Sequence, residues 1–202
     1  GSDPYWDNMA EKMLKALILF LIEGRPVEER NLASCANLVR LANNNGSFNI
    51  VSDLMKVLPD GSMARKSYED VQIATDKAYS SILSTLQSKL GKFDSSAIAA
   101  LTATNTIEFK DISEKKTALY VISPDSHSTY DFLLTIFFSQ MIQQLYDHAD
   151  KNGGKLNIPV YFFLDEFANI GQIPDFDKKI STSRSRKINF NVIIQNLDQL
   201  EA

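Results

Sequence analysis

Two adjacent carboxylates, Asp165 and Glu166, follow directly on the apolar run Val160–Leu164. Such a pair could hold a hard cation and activate a water molecule. Magnesium takes oxygen ligands, usually one or two carboxylates completed by phosphate and water. Asp165 is the residue placed to hold the metal, through water, and Glu166 is placed to orient or deprotonate an attacking water. An unbroken hydrophobic strand suits a sheet covered on both faces. In open α/β sheets ligands gather at the carboxyl ends of the strands. Taken alone, a hydrophobic run ending in Asp-Glu fits an acidic loop equally well.

The elements that must position this pair read in two parts. Up to about Thr104 the pattern is helical. Pro4 opens a helix in which Met9, Met13, Leu14, Leu17, Ile18 and Leu21 recur at helical spacing up to Gly24. Further helices are expected over Glu28–Leu41, Ile50–Leu58, Tyr68–Leu90 and Ser95–Thr102. Turns are expected at Asn43–Gly46 and Pro59–Gly61. After Thr104 the pattern alternates. Ala118–Ser123, Val160–Leu164 and Phe190–Ile194 read as strands, with helices over Tyr130–His148 and Asp175–Arg186. Alternation of this kind implies crossovers and a mostly parallel sheet. The expected fold class is therefore α/β, an all-helical domain over 3–104 followed by a layered domain over 105–202.

Bulk composition removes several function classes. The chain has 202 residues, 44% hydrophobic and 23% charged, which is ordinary for a globular protein. A formal net charge of -4 argues against an all-over cationic coat for nucleic acid. Nine scattered basic positions in the helical part (Arg25, Arg30, Arg40, Lys56, Arg65, Lys66, Lys77, Lys89 and Lys92) could still make a phosphate-binding patch or an ordinary solvated surface. The single cysteine, Cys35, forms no internal disulfide and lies in an apolar helical pattern, as a buried structural thiol does. No histidine or cysteine pair has zinc-ligand spacing, and no apolar run reaches the roughly 20 residues that span a bilayer. Gly1-Ser2 reads as a remnant of tag cleavage, and both ends read as cut from a longer protein.

The sequence around the carboxylates is more telling. FLDEFANIGQIPDF, followed by STSRSRKINFNVIIQNLDQL, resembles the type IV secretion coupling proteins, ATPases that link conjugative DNA to a secretion channel. The residues carrying the likeness are Asp165, Glu166, Phe167, Gly171, Ile173, Pro174, Arg184, Arg186 and Gln195. YVISPDSHSTYDFLLTIFFSQMIQQLY resembles the family's preceding strand and helix, so the specific likeness covers about Leu119–Leu200. It implies a RecA-like P-loop NTPase domain bearing an inserted all-alpha domain. It also implies ATP and magnesium as cofactors, a hexamer, and an upstream membrane anchor at the cytoplasmic face of the bacterial inner or cell membrane. Implied partners are DNA, relaxase or relaxosome proteins, and secretion channel components. Gln195 would sense the γ-phosphate, or simply close a strand. Arg184 or Arg186 would reach a neighbouring subunit's nucleotide, or form a solvated helix end.

One departure from the family is large. No G-x-x-x-x-G-K-[ST] loop occurs, and Gly153-Gly154-Lys155 lacks the first glycine and the hydroxyl residue. This polypeptide alone is therefore expected to be soluble, to hold no tightly bound cofactor and to hydrolyse no ATP. An incomplete sheet would expose edges, so the fragment is expected as a monomer or a non-native dimer. Two other readings remain, a helical adaptor that binds relaxase or accessory proteins, and part of a different RecA-like DNA translocase.

Overall fold

The computed structural model describes residues 4–44, 50–123 and 130–194; the side chains of residues 43, 44, 168 and 169 fall outside the description. The chain divides into two compact units, Gly1–Thr106 and Ile107–Ala202.

Unit 1 is helical throughout its described residues. Its helices are α1 (Pro4–Gly24), α2 (Leu32–Asn44), α3 (Ile50–Val57), α4 (Met63–Gln72), α5 (Asp76–Leu90) and α6 (Ser96–Ala103). The apolar stripe of α1 buries Met13, Leu17 and Leu21, and α1 packs on α4 and α5. Glu23 at the end of α1 caps α4. Its Oε1 accepts the backbone N–H groups of Met63 at 3.1 Å and Ala64 at 3.3 Å, and its Oε2 accepts the Ser62 hydroxyl at 2.5 Å. These are donors that a helix leaves unsatisfied at its start.

Helix boundaries in this unit differ from the periodicity. The helix expected over Tyr68–Leu90 begins at Met63 and is two helices. It breaks at residues 73–75, where the Thr75 hydroxyl accepts the Ala78 N–H at 3.4 Å and restarts the chain as α5. Side-chain capping of this kind offers the backbone an alternative to continuing a helix. The second helix starts at Leu32, not Glu28, because Val27–Glu29 forms a 3₁₀ turn and the Asn31 carboxamide accepts the Ser34 N–H at 2.9 Å. Residues 45 and 46 of the expected Asn43–Gly46 turn lie outside the described residues.

Unit 2 contains α7 (Asp131–Lys151), β1 (Val160–Leu164), α8 (Phe176–Ser183) and β2 (Ile188–Val192). The strands pair in parallel, Val160 opposite Ile188 and Leu164 opposite Val192. Among the described residues the sheet has two strands and is much smaller than expected. Among the described residues Ala118–Ser123 joins no ladder, and Tyr120 and Ile122 are 84% and 91% exposed. An apolar, branched sequence favours an extended backbone, but only a partner edge makes it a strand. The last strand begins two residues earlier than Phe190, right after Lys187 at φ 60°, and the expected Asp175–Arg186 helix ends at Ser183 in a 3₁₀ turn over Arg184–Arg186.

The core of unit 2 lies between α7 and one face of β1. Ile142, Leu145 and Ala149 meet Val160, Phe162, Leu164 and Ile188 there. The other face of β1 is open rather than covered, with Tyr161 59% and Phe163 73% exposed. The strand therefore alternates in burial along its length.

Candidate functional site

The chain turns sharply where β1 ends. Asp165 and Glu166 are both exposed, and the Asp165 Oδ1 accepts the Glu166 backbone N–H at 3.0 Å. Glu166 is left-handed, φ 50° and ψ 48°. That conformation costs a non-glycine residue roughly 1–2 kcal/mol, and such strain collects where geometry matters for function. Two backbone bonds fix the turn. Ile193 donates to the Leu164 carbonyl at 3.0 Å, and Phe167 donates to the Ile193 carbonyl at 3.2 Å.

Aromatic stacking anchors the loop that follows. Phe167 stacks on Phe176 at 4.9 Å, Phe176 meets Phe190 edge-on at 5.2 Å, and Phe190 stacks on Phe162 at 4.9 Å. Four rings thus tie the loop after Glu166 to the start of α8 and to both strands. Gly171, at φ 78°, brings the backbone against α7. The Thr135 hydroxyl there donates to the Ile170 carbonyl at 2.5 Å.

The two arginines stand elsewhere. Because the strands are parallel, residues just before β2 lie at the edge opposite Asp165 and Glu166. A separation on the order of 20 Å follows from about 3.3 Å per strand residue. Within unit 2 the carboxylates and the arginines are therefore not brought together. The two arginines also differ. Arg186 donates to Asp150 through Nε and Nη2, both at 2.9 Å, and its guanidinium lies 4.8 Å from the Tyr146 ring centroid. Tyr146 in turn donates its hydroxyl to the Lys179 carbonyl. Arg184 is exposed and makes no ion pair among the described residues. Gln195 lies outside the described residues, as do residues 124–129 of the segment before α7.

Gly153 and Gly154 end α7. Both have positive φ, and Gly154 donates back to the Ala149 carbonyl at 2.9 Å. This is a helix C-terminal stop. A phosphate loop has the opposite polarity, with backbone N–H groups leading into a helix N-terminus.

A second polar knot holds the approach to β1. Glu114 Oε1 lies 2.7 Å from His148 Nε2, and Glu114 Oε2 accepts from the Asn157 carboxamide at 2.7 Å. The hydrogen bond from His148, then that from Asn157, holds the Glu114 carboxyl below its ordinary range. No pattern in the sequence singles out these residues, which lie 34 and 43 positions from Glu114. In unit 1, five of the nine candidate basic positions are in ion pairs: Arg25 with Glu29, Arg40 with Asp94, Lys56 with Asp53, Arg65 with Asp60 and Lys89 with Asp7. Lys12 pairs with Asp70 as well.

Among characterised proteins and solved structures, no similar protein was found. A family model does match, and it covers residues 1–202. Its description, conjugative DNA transfer by a type IV secretory system, agrees with the resemblance read from Asp165, Glu166 and their surroundings. The chain belongs to the type IV secretory system conjugative DNA transfer family.

Proposed function

We propose that residues 3–104 are the all-alpha domain, and residues 105–202 the carboxylate-bearing part of a RecA-like nucleotide-binding domain, of a DNA-transfer motor. In the whole protein, a membrane-anchored hexamer at the cytoplasmic face would use ATP hydrolysis to deliver DNA or a relaxosome to the secretion channel. The observation that carries this reading is the placement of Asp165 and Glu166 at the carboxyl end of a parallel strand, on a strained turn braced by Phe167 and Gly171. Two exposed carboxylates, one with an oxygen beyond its backbone hydrogen bond, fit a water-mediated magnesium site. Bound there, magnesium would neutralise charge on the nucleotide phosphates. Asp165 would hold the metal's water shell, and Glu166 would accept a proton from the attacking water. Arg184, unlike Arg186, has a guanidinium at liberty to reach a neighbouring subunit.

The test uses a longer form of the protein that carries a phosphate loop. Glu166→Gln should lower ATP turnover by about 10²–10⁴-fold, the usual worth of a general base, and leave ATP binding intact. Wild-type turnover in Glu166→Gln would refute the assignment. The 202-residue chain should turn over no ATP; turnover that Glu166→Gln abolishes would show that a phosphate site exists within it.

A second reading concerns unit 1. Ion pairing of its cations favours a surface that recruits proteins over one that grips phosphates, since paired charges have little left to release counterions. Lys66→Gln with Lys77→Gln should leave DNA affinity unchanged while a relaxase is still retained. A tenfold loss of DNA affinity would reverse the reading.

A further inference from the structure

Helix α7 packs on the loop that follows Glu166, and one of its hydroxyls meets that loop. Thr135 stands within the apolar stretch Phe132–Phe138, two turns before the buried Ile142 and on the same helix face. Its Oγ1 lies 2.5 Å from the Ile170 carbonyl oxygen and 3.2 Å from that of Asp131, one turn back in α7. A threonine hydroxyl carries a single proton, so it serves one of these carbonyls at a time. The shorter contact is the one to the loop. The longer is the bond to residue i−4 that threonine makes within helices.

Ile170 ends the 3₁₀ turn Phe167–Ile170, which is flanked by Glu166 at φ 50° and Gly171 at φ 78°. The near end of this turn is tied down just past β2, where the Phe167 N–H donates to the Ile193 carbonyl at 3.2 Å. The far end is tied to α7 by Thr135. Gly171 makes the close approach possible, because a Cβ there would lie 2.6 Å from the Thr135 Oγ1.

We propose that Thr135 is a positioning residue for Glu166, its hydroxyl latching the far end of the turn from which the Glu166 carboxylate is presented. This role rests on Glu166 acting as the proton acceptor. A turn held only at Phe167 pivots there. Four residues of 3₁₀ helix span about 8 Å, so slack at Ile170 returns to Glu166 as a change of backbone angle. Misplacing a catalytic group by about 1 Å costs up to about 100-fold in rate. The latch is also releasable. When Ile170 withdraws, the hydroxyl turns to the Asp131 carbonyl, so release exchanges one hydrogen bond for another and leaves no unpaired donor.

Two measurements test the latch. Thr135→Val keeps the shape of the side chain and removes its proton. In the 202-residue chain it should speed amide hydrogen exchange over Phe167–Gln172 about fivefold, the worth of one hydrogen bond, and leave β1 and β2 unchanged. Thr135→Ser should exchange as the wild type does. In the longer form that carries a phosphate loop, Thr135→Val should lower kcat for ATP about 10- to 100-fold with KM unchanged, as when an interaction made only in the transition state is lost. Thr135→Ser should recover most of kcat, whereas a loss of packing would impair both variants alike. A urea melt checks folding, and Thr135→Ala replaces Thr135→Val in both comparisons if the latter does not unfold cooperatively. Wild-type exchange in Thr135→Val would overturn the proposal. So would equal impairment of the Val and Ser variants, or wild-type kcat in Thr135→Val where Glu166→Gln is impaired. Wild-type turnover in Glu166→Gln would instead remove the carboxylate reading, and this role with it.

Discussion

Replacing Gly171 by alanine should destabilise unit 2 by about 3 kcal/mol, through two separable causes. The first is conformational. At φ 78° and ψ -179° the residue sits in a region open essentially to glycine alone, at a cost on the order of 1–3 kcal/mol for any other residue. The second is steric. An added Cβ would lie 2.6 Å from the Thr135 Oγ1, and relieving such overpacking costs at least about 1 kcal/mol. Moving the hydroxyl away sacrifices its bond to the Ile170 carbonyl, itself worth about 1 kcal/mol. The two causes part in a double-mutant cycle. Thr135→Ala alone should cost about 1 kcal/mol. In the background of Thr135→Ala, Gly171→Ala should cost less than in the wild type by about 1 kcal/mol, because the contact is gone and the backbone strain remains. Urea titration followed by far-ultraviolet circular dichroism gives all four values. A neutral Gly171→Ala would refute the conformational argument, and strict additivity of the two changes would refute the steric one.

Glu114 predicts an acid response. Its folded-state pKa is depressed by His148 and Asn157, so its contribution to stability is fully present above the ordinary glutamate range and is lost as pH falls through the lower folded value. Melting temperature should decline on the acid side of pH 4.5 more steeply in the wild type than in Glu114→Gln; equal slopes would show that the knot contributes nothing. Arg186→Ala should cost about 1–2 kcal/mol, because it removes a partly buried ion pair and a contact with Tyr146. Asp150→Ala combined with it should add little, and full additivity in urea titration would mean the pair does not act together. Cys35 is buried, and burial pushes its thiol up to about 11. At pH 8 a disulfide reagent should therefore react with it slowly until urea unfolds the chain, and fast labelling of the folded protein would contradict that burial.

Local signals in the sequence carried some elements and missed others for definite reasons. Val160–Leu164 was legible because a five-residue apolar run bounded by Pro159 and Asp165 leaves little freedom in where a strand begins and ends. Helices α1 and α7 were legible from long apolar periodicity. The break at residues 73–75 was hidden because Val71, Ala74, Ala78 and Ile82 keep a helical spacing across it, while the decisive event is one hydroxyl capping one N–H. Ala118–Ser123 has the composition of a strand, but a ladder is a property of two segments and its partner edge is not written in its own residues. Asp165 and Glu166 were legible as a pair. What separates Arg184 from Arg186 was not, since Asp150 and Tyr146 lie 36 and 40 positions away in the chain and meet Arg186 only after α7 and the 3₁₀ turn pack together.

The ring ladder from Phe167 to Phe190 has a mechanical consequence. Phe176 is both a rung of that ladder and the first residue of α8, while Arg184 follows the last residue of the same helix. The eight residues of α8 make a rigid rod about 12 Å long at 1.5 Å per residue. A tilt of about 5° at Phe176, started by any shift of the loop after Glu166, displaces the Arg184 end by roughly 1 Å. Helix α8 would thus act as a lever, its near end feeling the carboxylate turn and its far end carrying Arg184 at the opposite edge of the sheet.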